Sequence, residues 1–335
     1  MNTQIVYVVI SGANDNYFEQ VWASAWSLKH FNPDSHVVVL TDNSTKDTIY
    51  SDARKESLNY IDEIVTVEFD GDYSNKEKSR WIKTNMRSLI SGDFLFIDAD
   101  TVICGDLGAV DSWSCSVGAV LDSHCHSREI CDTIVFQDMY VNRLKNIFSV
   151  DYGGEDVFNS GVMFVKDNEE ARHFFDTWHK NWLHSNSKGI VLDQLPLLKT
   201  NIELGKVIKE LPGEYNCQIC FSVQYLTQAK IVHTFAHQKE GIPLSPIMGS
   251  EIFENIKRNR GVTESVADIL MHCKETFTSP SYLVGKGWMK IRFQPAYFLI
   301  EDTYASSRSI DRLALNCLNF IARSFSFLLR CFHKL

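Results

Sequence analysis

The stretch FLFIDADTVICGDL, residues 94–107, decides how this chain is read. A short apolar run ends abruptly in Asp98-Ala99-Asp100. Runs that are apolar throughout suit strands of a sheet covered on both faces. Ligands of such sheets sit beyond the carboxyl ends of the strands. Two carboxylates at that place, with one small residue between them, can hold a hard divalent cation such as Mn2+ or Mg2+. A turn or helix cap is the ordinary alternative for an Asp pair.

Working outward, similar runs recur. QIVYVVIS (4–11), HVVVLTD (36–42), EIVTVEF (63–69) and DFLFID (93–98) read as strands. Helical spacing fills the gaps at Tyr17–Phe31, Ser44–Leu58 and Lys76–Ile90. Strands alternating with helices predict an α/β fold with a mostly parallel central sheet. Ser11, Asp42 and Asp98 then fall at strand ends. SVGAVLD (116–122), SGVMFVK (160–166) and KIVHTF (230–235) are further strands. Glu169–Leu183 is an amphipathic helix whose Phe174, Phe175, Trp178 and Trp182 stripe reads as core. Past residue 245 the pattern turns helical. We therefore divide the chain into a catalytic domain, 1–245, and a helical extension, 246–335.

The bulk properties exclude several classes. With 335 residues and 44% hydrophobic content, the chain can bury one large core or two small ones. A formal charge of −9 argues against nucleic acid as a partner. The N-terminal MNTQIVYVVISG lacks the basic start and cleavage site of a signal peptide, and no run reaches the ~18 apolar residues of a membrane span. A cytoplasmic protein is expected. The nine scattered cysteines form no full disulfide framework, and free thiols are favoured over a zinc site at Cys217-Gln-Ile-Cys220.

Other segments carry polar groups suited to a ligand. Asn14-Asp15-Asn16-Tyr17 follows the first strand, where amide, carboxylate and ring can hold a nucleobase and ribose, or simply cap the next helix. Lys83 and Arg87 share a helix face and can reach a diphosphate. Phe158-Asn159-Ser160-Gly161-Val162 offers short polar groups and close backbone approach, as sugar recognition requires. Asp193-Gln194 opens a helix, where an acid is favoured by the dipole. His233 ends a strand and Lys239 follows it; imidazole plus two carboxylates is a divalent-cation set, and a lysine can balance a phosphate.

The order N-D-N-Y, D-A-D, F-N-S-G-V, D-Q and H-x-x-A-x-x-K resembles the retaining glycosyltransferases of family 8, over roughly residues 4–240. That family includes bacterial lipopolysaccharide galactosyl- and glucosyltransferases and glycogenins. The resemblance implies the GT-A fold and transfer of a hexose, galactose or glucose favoured, from a UDP-sugar to a saccharide or glycolipid acceptor, with surface polysaccharide or lipopolysaccharide synthesis as the setting. It implies Asp98, Asp100 and His233 as ligands of Mn2+ or Mg2+. It implies donor contacts at Ser11, Asp15, Asn16, Tyr17, Lys83, Asp122, Asn159 and Lys239, with Asp193 and Gln194 at the reacting sugar. Lys83 stands where the family usually has arginine, and Ala236 where it usually has glycine.

Two other readings remain. An apolar strand followed by DADTV also resembles the first motif of haloacid-dehalogenase-type phosphatases, with Asp98 as nucleophile, but no later acidic motif of that family follows. A non-catalytic sugar-nucleotide-binding protein would be favoured by a broken cation set, and Asp98, Asp100 and His233 are all present.

The tail RSIDRLALNCLNFIARSFSFLLRCFHKL (308–335) completes the pattern. Ile310, Leu313, Cys317, Phe320, Ile321, Leu328, Phe332 and Leu335 share one helical face, and Arg312, Asn316, Asn319, Arg323, Arg330 and Lys334 the other. A basic amphipathic helix suits the anionic cytoplasmic face of a membrane. Packing on the catalytic domain or on a second copy in a homo-oligomer is the alternative.

Overall fold

The structure is a computed structural model that describes residues 1–235, 246–275, 290–291, 293–305 and 308–332. Its main sheet has seven strands: β1 (Gln4–Val8), β2 (Val37–Asp42), β3 (Glu63–Val67), β4 (Phe94–Ile97), β6 (Val117–Leu121), β7 (Phe158–Val165) and β8 (Ile208–Glu210), in the order β3-β2-β1-β4-β7-β6-β8. Only β7 runs against its neighbours, β4 and β6; the other pairs are parallel. A second sheet joins β5 (Thr101–Ile103), β10 (Ile231–His233) and β9 (Cys217–Gln218).

Alternate residues of the strands point to opposite faces. Ile5, Tyr7, Val37, Val39, Leu95 and Ile97 pack on one face against α1 (Tyr17–Phe31), α7 (Ser250–Asn259) and α8 (Glu264–Met271). Val6, Val8, Val38, Leu40, Phe94 and Phe96 pack on the other, against α3 (Asn75–Leu89) and α5 (Glu169–Ser187). Phe174, Phe175, Trp178 and Trp182 are buried, as core aromatics. Each such burial contributes about 1.5–3 kcal/mol. A third cluster gathers Cys125, Phe136, Tyr140, Leu144 and Val157 against α6 (Gln194–Glu203). Within that segment α4 (Ile134–Phe136) continues into wider π-helical turns.

The helical span expected over Ser44–Leu58 is interrupted. α2 (Asn43–Ile49) stops, and a separate 3-10 turn forms at Lys55–Asn59. The intervening turn carries Arg54 inward, where its guanidinium bonds both carboxylate oxygens of Glu19 at 2.8 and 3.0 Å. Arg87 also differs from expectation. It donates to the carbonyls of Ile90 and Gly92 and lies beside Asp167, capping α3 at the end away from the strand-end turns. α3 begins in a capping box between Ser74 and Glu77, which fixes the turn that precedes Arg80 and Lys83.

Beyond α8, the described chain forms α9 (Pro295–Ala305) and α10 (Ser309–Phe332). No helix among the described residues is long and apolar enough to cross a membrane.

Candidate active site

Asp98-Ala99-Asp100 is the junction between the two sheets. β4 ends at Ile97 and β5 begins at Thr101. The turn is fixed by its own backbone. Asp98 N donates to Gly161 O at 2.7 Å, Thr101 Oγ1 donates to Asp98 O at 2.9 Å, and Thr234 N and Oγ1 both donate to Asp100 O at 2.9 Å. Antiparallel pairing of β10 with β5 sets His233 opposite Thr101. That register brings a residue distant in sequence beside the two carboxylates.

The result is a compact donor set. One ligand atom from each of Asp98, Asp100 and His233 lies within 4.8 Å of the others. His233 Nε2 is 3.3 Å from Asp100 Oδ1. The imidazole is buried and stacks on Phe235 with ring centroids 3.9 Å apart. The ring also abuts Gly161, where a Cβ would lie 2.3 Å from Cε1. Two carboxylates and a nitrogen fit a divalent cation chemically. Burial and the Asp100 charge raise the Asp98 carboxyl above its ordinary range against the pull of Lys83.

Gly161→Ala is accordingly expected to push the His233 ring off its seat. Mn2+ affinity, measured without sugar, should fall about tenfold or more, and the overpacked ring should cost about 1–3 kcal/mol of stability. Unchanged affinity would show that the ring does not need this floor.

Basic groups close one side. Lys83 Nζ is buried and bonds Asp98 Oδ1 at 3.1 Å and Ser160 Oγ at 3.2 Å, with Asp193 Oδ2 at 3.3 Å. Arg80 Nε is 3.0 Å from Asp193 Oδ1, as an ion pair rather than an aligned hydrogen bond. Asp193 also accepts from Ser160 Oγ at 2.8 Å. Burial alone would raise the Asp193 carboxyl, but Lys83 and Arg80 hold it well below the ordinary carboxylate range. Core aromatics of α5 position this corner: Trp178 Nε1 donates to Asp193 O at 3.1 Å, and Trp182 Nε1 to Val191 O at 2.9 Å.

A second corner lies at the end of β6. Asp122 accepts from Asn159 Nδ2 at 2.9 Å, and the Gln194 amide lies within its reach. Gln194 is also beside the buried Tyr140 hydroxyl, whose pKa burial and Asp122 push well above the ordinary value. Asn159 continues through the fully buried Asn216 to His233.

The loop after β1 is braced from beneath. Asp15 Oδ1 accepts from Ser11 Oγ at 2.6 Å and Tyr17 N at 3.1 Å, and Oδ2 accepts from Gly12 N at 2.7 Å. Arg54 Nη2 donates to Gly12 O at 2.9 Å and Ser11 Oγ at 3.2 Å. Lys257 of α7 donates to Asp15 O at 2.8 Å. Asp15 thus serves the turn itself, and Asn16 sits at the N-cap of α1 without capping through its side chain. Tyr17 keeps 47% of its surface exposed and lies within electrostatic range of Arg80. Asp42 caps α2 and pairs with Lys78, so it belongs to the scaffold.

The expected residues fall into groups: Asp98, Asp100, His233 and Lys83 meet directly; Lys83 links them to Asp193; Asp122, Asn159 and Gln194 form the adjoining corner; Ser11, Asp15, Asn16 and Tyr17 form the loop. Lys239 lies outside the described residues. Sequence reasoning missed Arg80, Asn216 and Tyr140. Arg80 could have been found from its i−3 spacing to Lys83; the other two sit in segments without a helical or strand pattern. Among the described residues the Asp98–Asp100–His233 group is the one cluster suited to a metal.

The glycosyl transferase family 8 profile matches residues 8–239. Among solved structures, the WbbM bifunctional glycosyltransferase superposes with a TM-score of 0.51 at 16% identity, over 80% of this chain and 51% of that one. The galactosyltransferase LgtC, in complex with donor and acceptor sugar analogues, gives 0.49 at 15% identity over 79% and 99%. Mouse xyloside xylosyltransferase 1 gives 0.46 at 12% identity over 70% and 97%. No curated protein sequence matches the chain. At such identities the superpositions bear on the fold alone, a mixed sheet of GT-A type. The profile spans well over half of the sequence, and the chain belongs to glycosyl transferase family 8. It is a glycosyltransferase.

Proposed function

We propose that this protein transfers a hexose, galactose or glucose, from a UDP-sugar to a saccharide or glycolipid acceptor with retention of configuration. The observation that carries the reading is the convergence of Asp98, Asp100 and His233 at the sheet junction, with Lys83 and Arg80 beside them. In this reading Asp98, Asp100 and His233 hold Mn2+ or Mg2+. When bound, the cation neutralises the diphosphate charge that grows as the sugar departs. Ser11, Asp15, Asn16 and Tyr17 present the uridine face, with Tyr17 as the exposed ring. Lys83 and Lys239 bear on the diphosphate side, and Asp122, Asn159 and Asp193 face the sugar hydroxyls.

Gln194 lies nearest the anomeric carbon in this scheme. An amide is a poor nucleophile, and Asp193 is pinned between Lys83 and Arg80 with its charge already spent. We therefore favour attack by the acceptor hydroxyl on the face from which UDP leaves. The acceptor's proton passes to the departing phosphate oxygen. A trapped glycosyl adduct on Gln194 or Asp193 would rule this route out.

The division into a catalytic domain, 1–245, and a helical extension, 246–335, is part of the proposal, with α7 and α8 of the extension docked into the first core through Ile252, Phe253, Ile256, Val266 and Leu270. We assign α10 to a membrane surface. Ile310, Leu313, Phe320, Ile321 and Phe325 are exposed along it, and Arg312 and Arg323 lie on another face. The side chains of Leu328, Arg330 and Phe332, and residues Lys334 and Leu335, lie outside the described set. Deleting residues 308–335 is expected to abolish co-sedimentation with anionic vesicles; equal sedimentation of both forms would return the helix to a protein partner.

The deciding experiment is UDP release from a panel of UDP-sugars with Mn2+. Release from one sugar, lost on chelation, supports the reading and names the donor. Silence across the panel, with p-nitrophenyl phosphate cleaved instead, would transfer Asp98 to phosphatase chemistry.

A further inference from the structure

We propose that Asn216 is a positioning residue that selects the cation-binding tautomer of His233, and that the backbone N–H of Gly161 orients Asn216 through Asn159. The inference rests on the reading of Asp98, Asp100 and His233 as a cation site. Which amide atom is oxygen, and which ring nitrogen carries hydrogen, must be deduced from neighbouring groups. Here one neighbour admits a single answer. A backbone N–H only donates, so the Asn159 atom 2.9 Å from Gly161 N is the carbonyl oxygen. The Asn159 amide nitrogen then faces the accepting Asp122 carboxylate at 2.9 Å.

The same Asn159 oxygen lies 3.0 Å from the Asn216 side chain, so the Asn216 atom there is nitrogen. That turns the Asn216 oxygen onto His233 Nδ1 at 2.9 Å. An amide oxygen only accepts, so Nδ1 carries the hydrogen. In the neutral ring Nε2 then keeps its lone pair toward the Asp98–Asp100 side, 3.3 Å from Asp100 Oδ1, where a cation would take it. Asn216 is fully buried and Asn159 and His233 nearly so, so bulk water is kept from the run. Metal-binding histidines commonly depend on such a partner, whose loss costs about 10–100-fold in affinity.

The test is Mn2+ affinity of the full chain without sugar, by electron paramagnetic resonance, for wild type, Asp98→Asn, Asn216→Leu and Asn216→Asp. Asn216→Leu keeps the branched shape but removes the acceptor, and should weaken Mn2+ about 10–100-fold. Asn216→Asp keeps an acceptor on Nδ1 and should bind more tightly than Asn216→Leu. A packing role gives the reverse order, because leucine fills the space and a buried carboxylate beside the Asn159 oxygen is costly; that order overturns the inference. If Asn216→Leu does not fold, 15N shifts of His233 in the wild type, followed upward in pH until the ring is neutral, decide: hydrogen on Nδ1 of the neutral ring supports the assignment, and hydrogen on Nε2 of the neutral ring refutes it. Failure of the site itself looks different: wild type would not bind Mn2+, and Asp98→Asn would change nothing.

Discussion

Asp100→Asn is expected to lower UDP release from the donor sugar by about 10²–10³-fold, the several kcal/mol that charge neutralisation by a bound cation contributes to the departing diphosphate. The substitution preserves shape. The backbone carbonyl of Asp100 still accepts from Thr234, so the turn persists. What changes is one negative charge next to His233 Nε2. The loss should fall on turnover and on Mn2+ affinity together, and excess Mn2+ should restore part of it. Initial rates across a Mn2+ titration check this. Activity within a few-fold of wild type at low Mn2+ would remove Asp100 from the cation site.

Arg54→Met is expected to cost about 3–5 kcal/mol of stability, because it strands a buried carboxylate. Glu19 is fully buried and both its oxygens bond Arg54. The melting temperature should drop by about 5–10 °C. Adding Glu19→Leu should recover much of that loss, since an apolar pair of suitable volume can replace an ion pair. Nucleotide binding should not recover with it. Arg54 also holds Gly12 O and Ser11 Oγ, and no apolar pair replaces those bonds under the Ser11–Tyr17 loop. Calorimetry and UDP titration on both variants separate the two effects. A double variant as unstable as the single one would show that Glu19 is not the source of the penalty.

The main sheet was legible because its strands are long, apolar and bounded by helices of clear period. Tyr17–Phe31 and the core of Asn75–Leu89 follow the hydrophobic spacing closely. β5, β8 and β9 were not read as strands, since two or three residues cannot display a period; β10, equally short, was read from the longer KIVHTF run around it. The break between α2 and the Lys55–Asn59 turn escaped too: Arg54 looks like any surface cation until Glu19 is placed beneath it. For the site, Asp98 and Asp100 announce themselves at a strand end, and His233 joined them through the ordered set of motifs. Asn216 left no trace, because its role depends on a pairing of β10 with β9 that single-sequence patterns do not reveal. Gly161 was read as room for a sugar; the space it leaves is filled by the His233 ring.

Because Asp122 is the terminal acceptor of a run that ends on His233, the corner proposed for the sugar and the proposed cation ligand cannot be varied independently. A library randomised at Asp122 alone would leave the Asn159 amide a buried donor with no acceptor, at about 1–3 kcal/mol. Most clones would then fail for reasons unrelated to the donor under selection. Directed evolution of a new sugar preference should retain an accepting group at Asp122, or randomise Asp122 and Asn159 as one codon pair.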